Sequence, residues 1–192
     1  MRRALLVSLR MAVVTIVLTG LIYPLVVWGI GALAFPKQAA GSLVTGPSGS
    51  IVGSSLIAQS FTADKYFHPR PSAAGANGYD AMSSSASNLG PTSQLLISTV
   101  DTRVAEAMSA DGATKGSVPV DMVTASASGL DPDISPDNAA LQVARVARAR
   151  GLSVDAVRQL VTQHTHGRDI GFLGEPRVNV LELNLALDRP KG

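Results

Sequence analysis

The chain has 192 residues, of which 16 are basic and 14 are acidic, and it contains no cysteine. The lack of cysteine excludes disulfides, thiol catalysis and thiolate metal sites. All 14 acidic residues and 13 of the basic residues follow residue 35, so that part of the chain is nearly neutral. A nearly neutral domain lacks the basic surface with which proteins bind nucleic acids.

The N-terminal segment has the composition of a membrane helix. Residues 11–35 carry no charged side chain, and this run is longer than the ~20 apolar residues that cross a bilayer core. Arg2, Arg3 and Arg10 precede the run. Under the positive-inside rule they place residues 1–10 in the cytoplasm and the chain after residue 35 outside it. The sequence therefore predicts a single-pass anchor with an extracytoplasmic domain.

Three residues are expected to define this anchor. Arg10 marks its cytoplasmic end, Pro24 interrupts the helix as membrane helices tolerate, and Trp28 is placed near the outer interface. The alternative is a cleaved signal peptide, because residues 32–34 form an A-x-A cleavage pattern. The apolar run exceeds the ~7–15 residues of a signal-peptide core, so we favour the retained anchor.

The chain after the anchor begins with loop-like composition. Residues 36–50 are rich in Gly, Ser and Pro and are interpreted as a linker to a domain at 51–192. An apolar stretch at 51–57 is consistent with a strand. The prolines at 69 and 71 require residues 68–71 to be extended. Residues 72–90, dominated by Ser, Ala, Gly and Asn, are predicted to be a long loop.

Capping residues and apolar periodicity predict three helices in the domain. The first begins after Thr92 or Ser93 and ends at Asp111, which Gly112 follows. The second has its cap at Ser135 and runs from residue 136 to 150, and the third runs from residue 154 to about 164.

Two further segments are less regular. Residues 118–124 are predicted to form a strand. Residues 176–188 fit either a strand or a helix, and we favour a helix because Pro176 is a good first helical residue. The predicted fold class is a single N-terminal transmembrane helix followed by a small mixed α/β (α+β) domain.

Candidate chemical groups are sparse. His164 and His166 are spaced as i and i+2, which do not share a helix face, so a metal role is not favoured. Acidic and hydroxyl residues alternate over 131–137 as in a calcium loop. Pro136 and Gln142, however, stand where such a loop has Gly and Glu. No P-loop, nucleophile elbow or acid–base constellation is present, which argues against an enzyme.

Two surface features suggest contact with other molecules instead. Arg145, Arg148 and Arg150 on the second helix are interpreted as a solvated face, with contact to an acidic partner or lipid head groups as the alternative. The Ser-, Gly- and Asn-rich stretch at 79–91 is either a flexible surface loop or a docking surface. Small residues favour the docking surface, because they let a partner backbone approach closely.

Several long motifs, in order from the anchor to the C-terminus, resemble the C subunit of the Kdp potassium-transporting P-type ATPase. Two places depart from the family pattern. Ala58 stands where Gly is expected, and Ser85-Ala86 stands where Gly-Gly is expected. None of these changes removes a reactive group. The matching stretches are residues 53–61, 66–73, 79–80, 87–92, 123–132, 145–151 and 171–181.

This resemblance implies a membrane complex. Its members assemble with a channel-like potassium-binding subunit, a P-type ATPase subunit and a very small membrane peptide, in the inner membrane of bacterial cells. The C subunit is implied to be a non-catalytic accessory subunit needed for assembly and stabilisation. It is further implied to be a catalytic chaperone that raises the ATP affinity of the pump subunit. ATP is therefore the one cofactor that the resemblance implies.

The anchor conflicts with direct ATP contact, because it places the domain outside while the nucleotide site of the pump lies in the cytoplasm. Coupling through the membrane helices is the expected route. The alternative is a nucleotide-binding regulatory subunit whose domain faces the cytoplasm. We predict that residues 66–72 and 79–91 form a docking surface for partner subunits. Its expected contact residues are Tyr66, Phe67, Arg70, Pro71, Tyr79, Asp80, Ser87, Asn88, Leu89 and Gly90.

Overall fold

The computed structural model describes residues 1–189 and divides into two compact units, Met1–Leu43 and a larger unit that begins at Val44. The first unit is dominated by a continuous apolar helix of 33 residues, Arg2–Ala34. Among residues 1–189 it is the one helix long and apolar enough to cross a membrane. The predicted N-terminal helix is confirmed, and it begins nine residues before the charge-free run because the basic residues lie on it.

Pro24 changes the local geometry of this helix without breaking it. α1 (Arg2–Val17) and α2 (Tyr23–Ala34) are joined by a π-helical turn at Leu18–Ile22. The Tyr23 N–H donates to the Leu18 carbonyl, five residues earlier. Proline has no N–H to donate to the carbonyl four residues before it, and the wider turn accommodates that missing bond.

The predicted linker is more structured than its composition suggests. Residues 36–50 contain the short helix α3 (Pro36–Ala39) and part of a two-stranded sheet, in which β1 (Leu43–Thr45) pairs with β2 (Ile51–Ser54). The Gly46 N–H donates to the Ser50 carbonyl across the intervening turn. The Gly- and Pro-rich sequence is therefore the turn of a hairpin.

The first predicted helix of the domain is confirmed as α4 (Gln94–Asp111). Ser93 caps its start by accepting from the Leu96 N–H, and Gly112 follows its end in the left-handed conformation. The strand predicted at 118–124 is wrong, because residues Val120–Val123 form the short helix α5.

The short helix α5 is held by its carboxylate. Asp121 accepts hydrogen bonds from the backbone and hydroxyl of Ser135 and from the Asn138 amide, at 2.8 to 3.0 Å. These bonds attach α5 to the start of the next helix. The bonding partners lie 14 and 17 residues further along the chain. The apolar pattern of residues 118–124, on which the strand prediction was based, contains no information about them.

The second and third predicted helices are also confirmed. α6 (Pro136–Arg150) starts at the Ser135 cap, and α7 (Val154–Gln163) starts at the Ser153 cap. Gly151, in the left-handed conformation, ends α6 and lets α7 pack against it. The two helices meet through apolar side chains and form one layer of the domain.

A small antiparallel sheet forms the second layer. β5 (Arg177–Asn179) lies between β3 (Asp133–Ile134) and β4 (Thr165–His166). The chain then passes directly into α8 (Val180–Asp188), whose cap is Asn179. The helix favoured for residues 176–188 is thus correct from residue 180. The prediction that Pro176 is the first residue of this helix is wrong, because strand β5 lies between Pro176 and the start of α8.

The core lies between these two layers. It is built from aliphatic side chains and a single aromatic one, in keeping with the low aromatic content of the chain. Phe67 is fully buried in it, although it belongs to the extended loop segment. The buried members are Phe67, Ile134, Ala139, Val143, Val146, Ala147, Val157, Val161, Val178, Val180, Leu183 and Leu187.

Arg145 on α6 is buried beside this core and binds groups from three parts of the chain. Its Nε–H donates to Asp111 at 2.7 Å, and the two side chains are only 2% and 3% exposed. Its other N–H groups donate to the carbonyls of Asp64 and Tyr66 and to the Gln142 side chain. The interpretation of Arg145 as part of a solvated face is wrong, because its guanidinium is the buried centre of a network.

Removal of Asp111 tests this network. We expect Asp111→Ala to lower the free energy of unfolding by ~3–5 kcal/mol, because the Arg145 charge stays buried without its carboxylate. Asp155→Ala is the matched control, since Asp155 pairs with Arg158 at the surface, and its loss should cost less than ~1 kcal/mol. Denaturant titration of the full chain in detergent micelles measures both. Equal losses would contradict the assigned role of the buried pair.

His68 reports the same environment through its protonation. Burial, followed by the nearby positive charge of Arg145, lowers the pKa of His68 from its ordinary value of 6.5. The unfolded chain therefore takes up a proton at His68 more readily than the folded chain does. This difference makes stability fall as the pH drops below about 6.5.

We expect His68→Gln to remove that part of the pH dependence. The measurement is the unfolding free energy of wild type and of the variant, from denaturant titration at pH 7.5 and at pH 5.5. Wild type should lose more stability than the variant on acidification. Parallel losses in both proteins would show that His68 takes up its proton equally in the folded and unfolded states.

Candidate functional site

The first half of the predicted docking surface is an extended segment that has no strand partner. Pro69 and Pro71 lack N–H donors, so the segment cannot join a ladder of regular hydrogen bonds. Two side-chain amides on the helices take the place of a neighbouring strand. The Asn184 side chain on α8 bonds to the backbone of Phe67, and the Gln142 side chain on α6 bonds to the backbone of His68.

Both amides use their oxygen and nitrogen in the same way. Asn184 accepts from the Phe67 N–H at 2.8 Å and donates to the Phe67 carbonyl at 2.9 Å. Gln142 accepts from the His68 N–H at 2.7 Å and donates to the His68 carbonyl at 3.1 Å. Both side chains are almost fully buried. The segment is therefore held in one conformation by groups that have no access to water.

Tyr66 is held by a second arginine of α6. The Arg150 guanidinium lies 5.0 Å from the centre of the Tyr66 ring and pairs with Asp188 at 2.8 Å. The Tyr66 hydroxyl donates to the same carboxylate at 2.9 Å. Lys65 also lies 5.0 Å from the ring. Arg150 thus joins the loop to the end of α8, and only Arg148 of the three helix arginines points freely into solvent, as its exposure indicates.

Arg70 connects the two halves of the predicted docking surface. Its Nη1 donates to Asp131 at 2.7 Å, and its backbone carbonyl accepts from the Tyr79 hydroxyl at 2.8 Å. Within residues 1–189, its Nε–H is the one buried side-chain polar group without a hydrogen-bond partner. Burial raises the pKa of Tyr79 above its ordinary value, so the hydroxyl stays protonated as the donor.

The second half of the surface is an ordered loop. The Ser72 hydroxyl donates to the Gly129 carbonyl at 2.5 Å and accepts from the Tyr79 N–H at 2.8 Å. The Ser85 N–H donates to the Ser128 carbonyl at 3.0 Å. A side chain at Gly129 would come within 2.7 Å of the backbone at Ala74, so only glycine permits this contact. Several hydrogen bonds thus join residues 72–85 to the turn at residues 128–129.

The predicted contact residues differ in their exposure. Asp80, Ser87, Asn88 and Gly90 are exposed, and Met82 between them is 94% exposed. Tyr66, Arg70, Pro71, Tyr79 and Leu89 are half-buried. Phe67 is the exception, because its side chain belongs to the core and cannot contact a partner. Only its backbone position shapes the surface.

An open cleft of about 430 Å³ lies beside this surface. Aromatic and charged side chains from the loop and from α4 line it, among them Phe61, His68, Tyr79, Arg103 and Glu106. The Arg103 guanidinium donates to the Val123 carbonyl at 2.9 Å. The cleft combines a phenol, an imidazole and a guanidinium, which suit hydrogen bonding to a polar partner group.

The patterns that resembled metal sites have other partners. Over residues 1–189, no group of three His, Cys, Asp or Glu side chains could hold a metal ion. In the calcium-like stretch, Asp131 pairs with Arg70, Asp133 pairs with Arg177, and Ser135 caps α6. His164 bonds to the Leu160 carbonyl, while His166 lies 3.9 Å from Glu182.

The residues that position the surface were not identified from the sequence. Asn184 and Gln142 lie on helices that were recognised, but the backbone groups that they bond are 117 and 74 residues away in the sequence. Asp111 was interpreted only as the end of α4. The one available signal was polar residues at positions of the apolar helix face: Gln142 and Arg145 flank Val143 and Val146 in the buried stripe of α6.

Comparison with known proteins identifies the family. Residues 5–189 match the family model described as "KdpC: K+-transporting ATPase, c chain". A potassium-transporting ATPase KdpC subunit from Gemmatimonas aurantiaca is 56% identical over 94% of this chain and 90% of its own length. The KdpC subunit from Koribacter versatilis is 54% identical over 98% and 95%. The one from Geobacter sulfurreducens is 52% identical over 94% and 95%.

The match covers the apolar helix, the segments predicted to dock and the core of the domain, which agrees with the resemblance that the sequence motifs indicated. The chain belongs to the KdpC family, the c chain of K+-transporting ATPases.

Proposed function

We propose that the chain is a non-catalytic accessory subunit that assembles and stabilises an ATP-driven potassium uptake complex. Its apolar helix packs among partner helices, and its domain docks on the extracytoplasmic face of the channel-like potassium-binding subunit. Membership of the KdpC family supports a role in potassium transport. The observation that carries the docking proposal is the exposed polar loop at residues 79–91, which is attached to a buried network.

Preorganisation is the physical reason for favouring this surface. Ordering a flexible loop on binding costs free energy for each immobilised side chain. Here the segments at 66–72 and 72–85 are already held by Asn184, Gln142 and Ser72. A partner that binds them does not have to order them. Small side chains at Ser87 and Gly90 also leave the backbone open to close contact.

The proposed topology follows from the charges around the apolar helix. Arg2, Arg3 and Arg10 lie at its N-terminal end, which favours the cytoplasmic side for that end. The pump subunit hydrolyses ATP in the cytoplasm, so an effect on its ATP affinity passes through the membrane helix. We therefore propose that the catalytic-chaperone role acts by coupling between helices, without direct contact between this domain and ATP.

A second candidate is a nucleotide-binding regulatory subunit whose domain faces the cytoplasm. The observation that favours it is the cleft lined by Phe61, Tyr79 and Arg103. Aromatic rings can stack on a base, and a guanidinium can bind phosphate. Arg103 already donates to the Val123 carbonyl, which leaves fewer donors for a phosphate. The first proposal is therefore preferred, and membrane topology separates the two.

Cysteine labelling tests the topology. Lys115 is exposed at the start of a 3₁₀ turn, and the chain has no native cysteine. We expect Lys115→Cys to react with a membrane-impermeant maleimide in intact cells. Ala4→Cys is the matched control, because it keeps the N-terminal charges and should react only after permeabilisation. The reverse pattern would place the domain in the cytoplasm and favour the second candidate.

A substitution in the exposed loop tests docking. Ser87 is exposed, so a larger side chain at this position does not displace buried atoms. We expect Ser87→Arg to leave the unfolding midpoint within about 2 °C of wild type, as surface changes usually do. It should weaken co-purification with the other subunits at least about tenfold, because a bulky charge enters a close contact.

Ser109→Arg on α4 is the matched control, since it places the same side chain at another exposed serine. It should co-purify like wild type. The measurement is the yield of each partner subunit recovered with the tagged full chain from detergent-solubilised membranes. Normal assembly of Ser87→Arg would remove residues 79–91 from the proposed interface.

A further inference from the structure

The turn that joins β4 to β5 displays large apolar side chains to solvent. Ile170, Phe172 and Leu173 are 82%, 68% and 48% exposed. We call residues 170–173 the apolar tip. Surface turns are usually made of Gly, Pro, Asn, Asp and Ser. Three neighbouring large apolar residues at one turn instead form a patch of the kind that marks an interaction site.

The apolar tip is a built structure. Asp169 and Leu173 exchange two backbone hydrogen bonds, at 2.8 and 2.9 Å, which close the turn. Arg168 pairs with Glu175 at 2.7 Å, and Arg177 lies 3.6 Å from Asp169. These bonds surround the base of the turn. The tip is therefore held out from the domain in a defined conformation.

The backbone at Ile170 adds a second, independent observation. Its φ is +55°, in the left-handed region that Gly, Asn and Asp tolerate and that a β-branched residue rarely adopts. Its side chain buries little surface in the domain to offset this strain. The stability of the isolated domain does not explain an isoleucine here. Strained residues of this kind occur at sites of function.

We propose that the apolar tip inserts into an apolar pocket on another protein subunit of the transport complex. This inference rests on the proposed function as an assembly subunit and adds a contact outside residues 66–72 and 79–91. Phe172 and Ile170 are the central anchors. The two ion pairs at the base form a charge-balanced rim, so the matching pocket has an apolar floor and a rim without a large net charge.

The charges around the tip favour a protein pocket over a lipid surface. Segments that bind membrane surfaces use unpaired Lys and Arg to attract anionic head groups. Both arginines near the tip are engaged, Arg168 by Glu175 and Arg177 by Asp169 and Asp133. Asp169 and Glu175 are themselves exposed. Such carboxylates would be repelled by an anionic membrane, whereas a neutral protein rim accommodates them.

The test compares stability with assembly. Ile170→Asn places a residue that tolerates the left-handed region at the tip, so its unfolding midpoint in detergent should equal or exceed that of wild type. Its co-purification with the partner subunits should fall at least about tenfold, as should that of Phe172→Ser. Val154→Asn is the control, since Val154 at the start of α7 is an exposed apolar residue (42%) outside residues 170–173, and it should assemble normally. Normal assembly of Ile170→Asn and Phe172→Ser would overturn the inference.

A fluorescence experiment separates protein from lipid as the occupant. The chain has one tryptophan, Trp28, so the double variant Trp28→Phe/Phe172→Trp carries its only indole at the tip. A blue-shifted emission that appears only with the partner subunits supports the proposal. Quenching by brominated phospholipid, in vesicles that contain the chain alone, would overturn it in favour of membrane insertion.

The same experiments distinguish failure of this inference from failure of the proposed function. If wild type does not co-purify with the partner subunits, the assembly role fails and the inference fails with it. If wild type assembles and Ser87→Arg does not, while the tip variants assemble normally, only the tip inference fails.

Discussion

The proline-containing segment at residues 66–72 has no neighbouring strand to bond with its backbone. Buried side chains, centred on Arg145, hold it in the domain instead. Arg145 donates hydrogen bonds to the carbonyls of Asp64 and Tyr66. Gln142 and Asn184 form hydrogen bonds with the backbone of residues 68 and 67, respectively. Buried polar groups are costly unless they are paired, and here the side chains satisfy one another and the backbone together. The buried ion pair with Asp111 balances the arginine charge.

This arrangement explains how a loop rich in serine and glycine can be ordered. The fixed segment at 66–72 presents the Ser72 hydroxyl to Gly129 and Tyr79. Ser84 and Ser85 then bond to the Ser128 carbonyl. Small polar residues here serve as hydrogen-bonding groups between two loop segments. Composition alone suggested mobility, but the same residues also suit close backbone packing once one segment is anchored.

The parts of the fold that could be predicted from the sequence are those with local signals. The helices α4, α6 and α7 carry serine caps, and their apolar residues follow helical spacing. The buried role of Arg145 could not be predicted, because Asp111 and the carbonyls of Asp64 and Tyr66 lie 34 to 81 residues away. Asn184 is 117 residues from Phe67. The short helix α5 was mistaken for a strand for the same reason, since Asp121 bonds to Ser135, the cap of α6, and to Asn138 in its first turn.

The network also limits how the domain can transmit a signal. Coupling between distant sites needs an element with two arrangements of similar free energy. Arg145, Gln142 and Asn184 are buried with their partners, so breaking their bonds would leave charged or polar groups unpaired, which is strongly unfavourable. An alternative internal arrangement of the docking segment is therefore costly. Internal rearrangement of this segment is therefore an unfavourable route for coupling between this domain and another subunit.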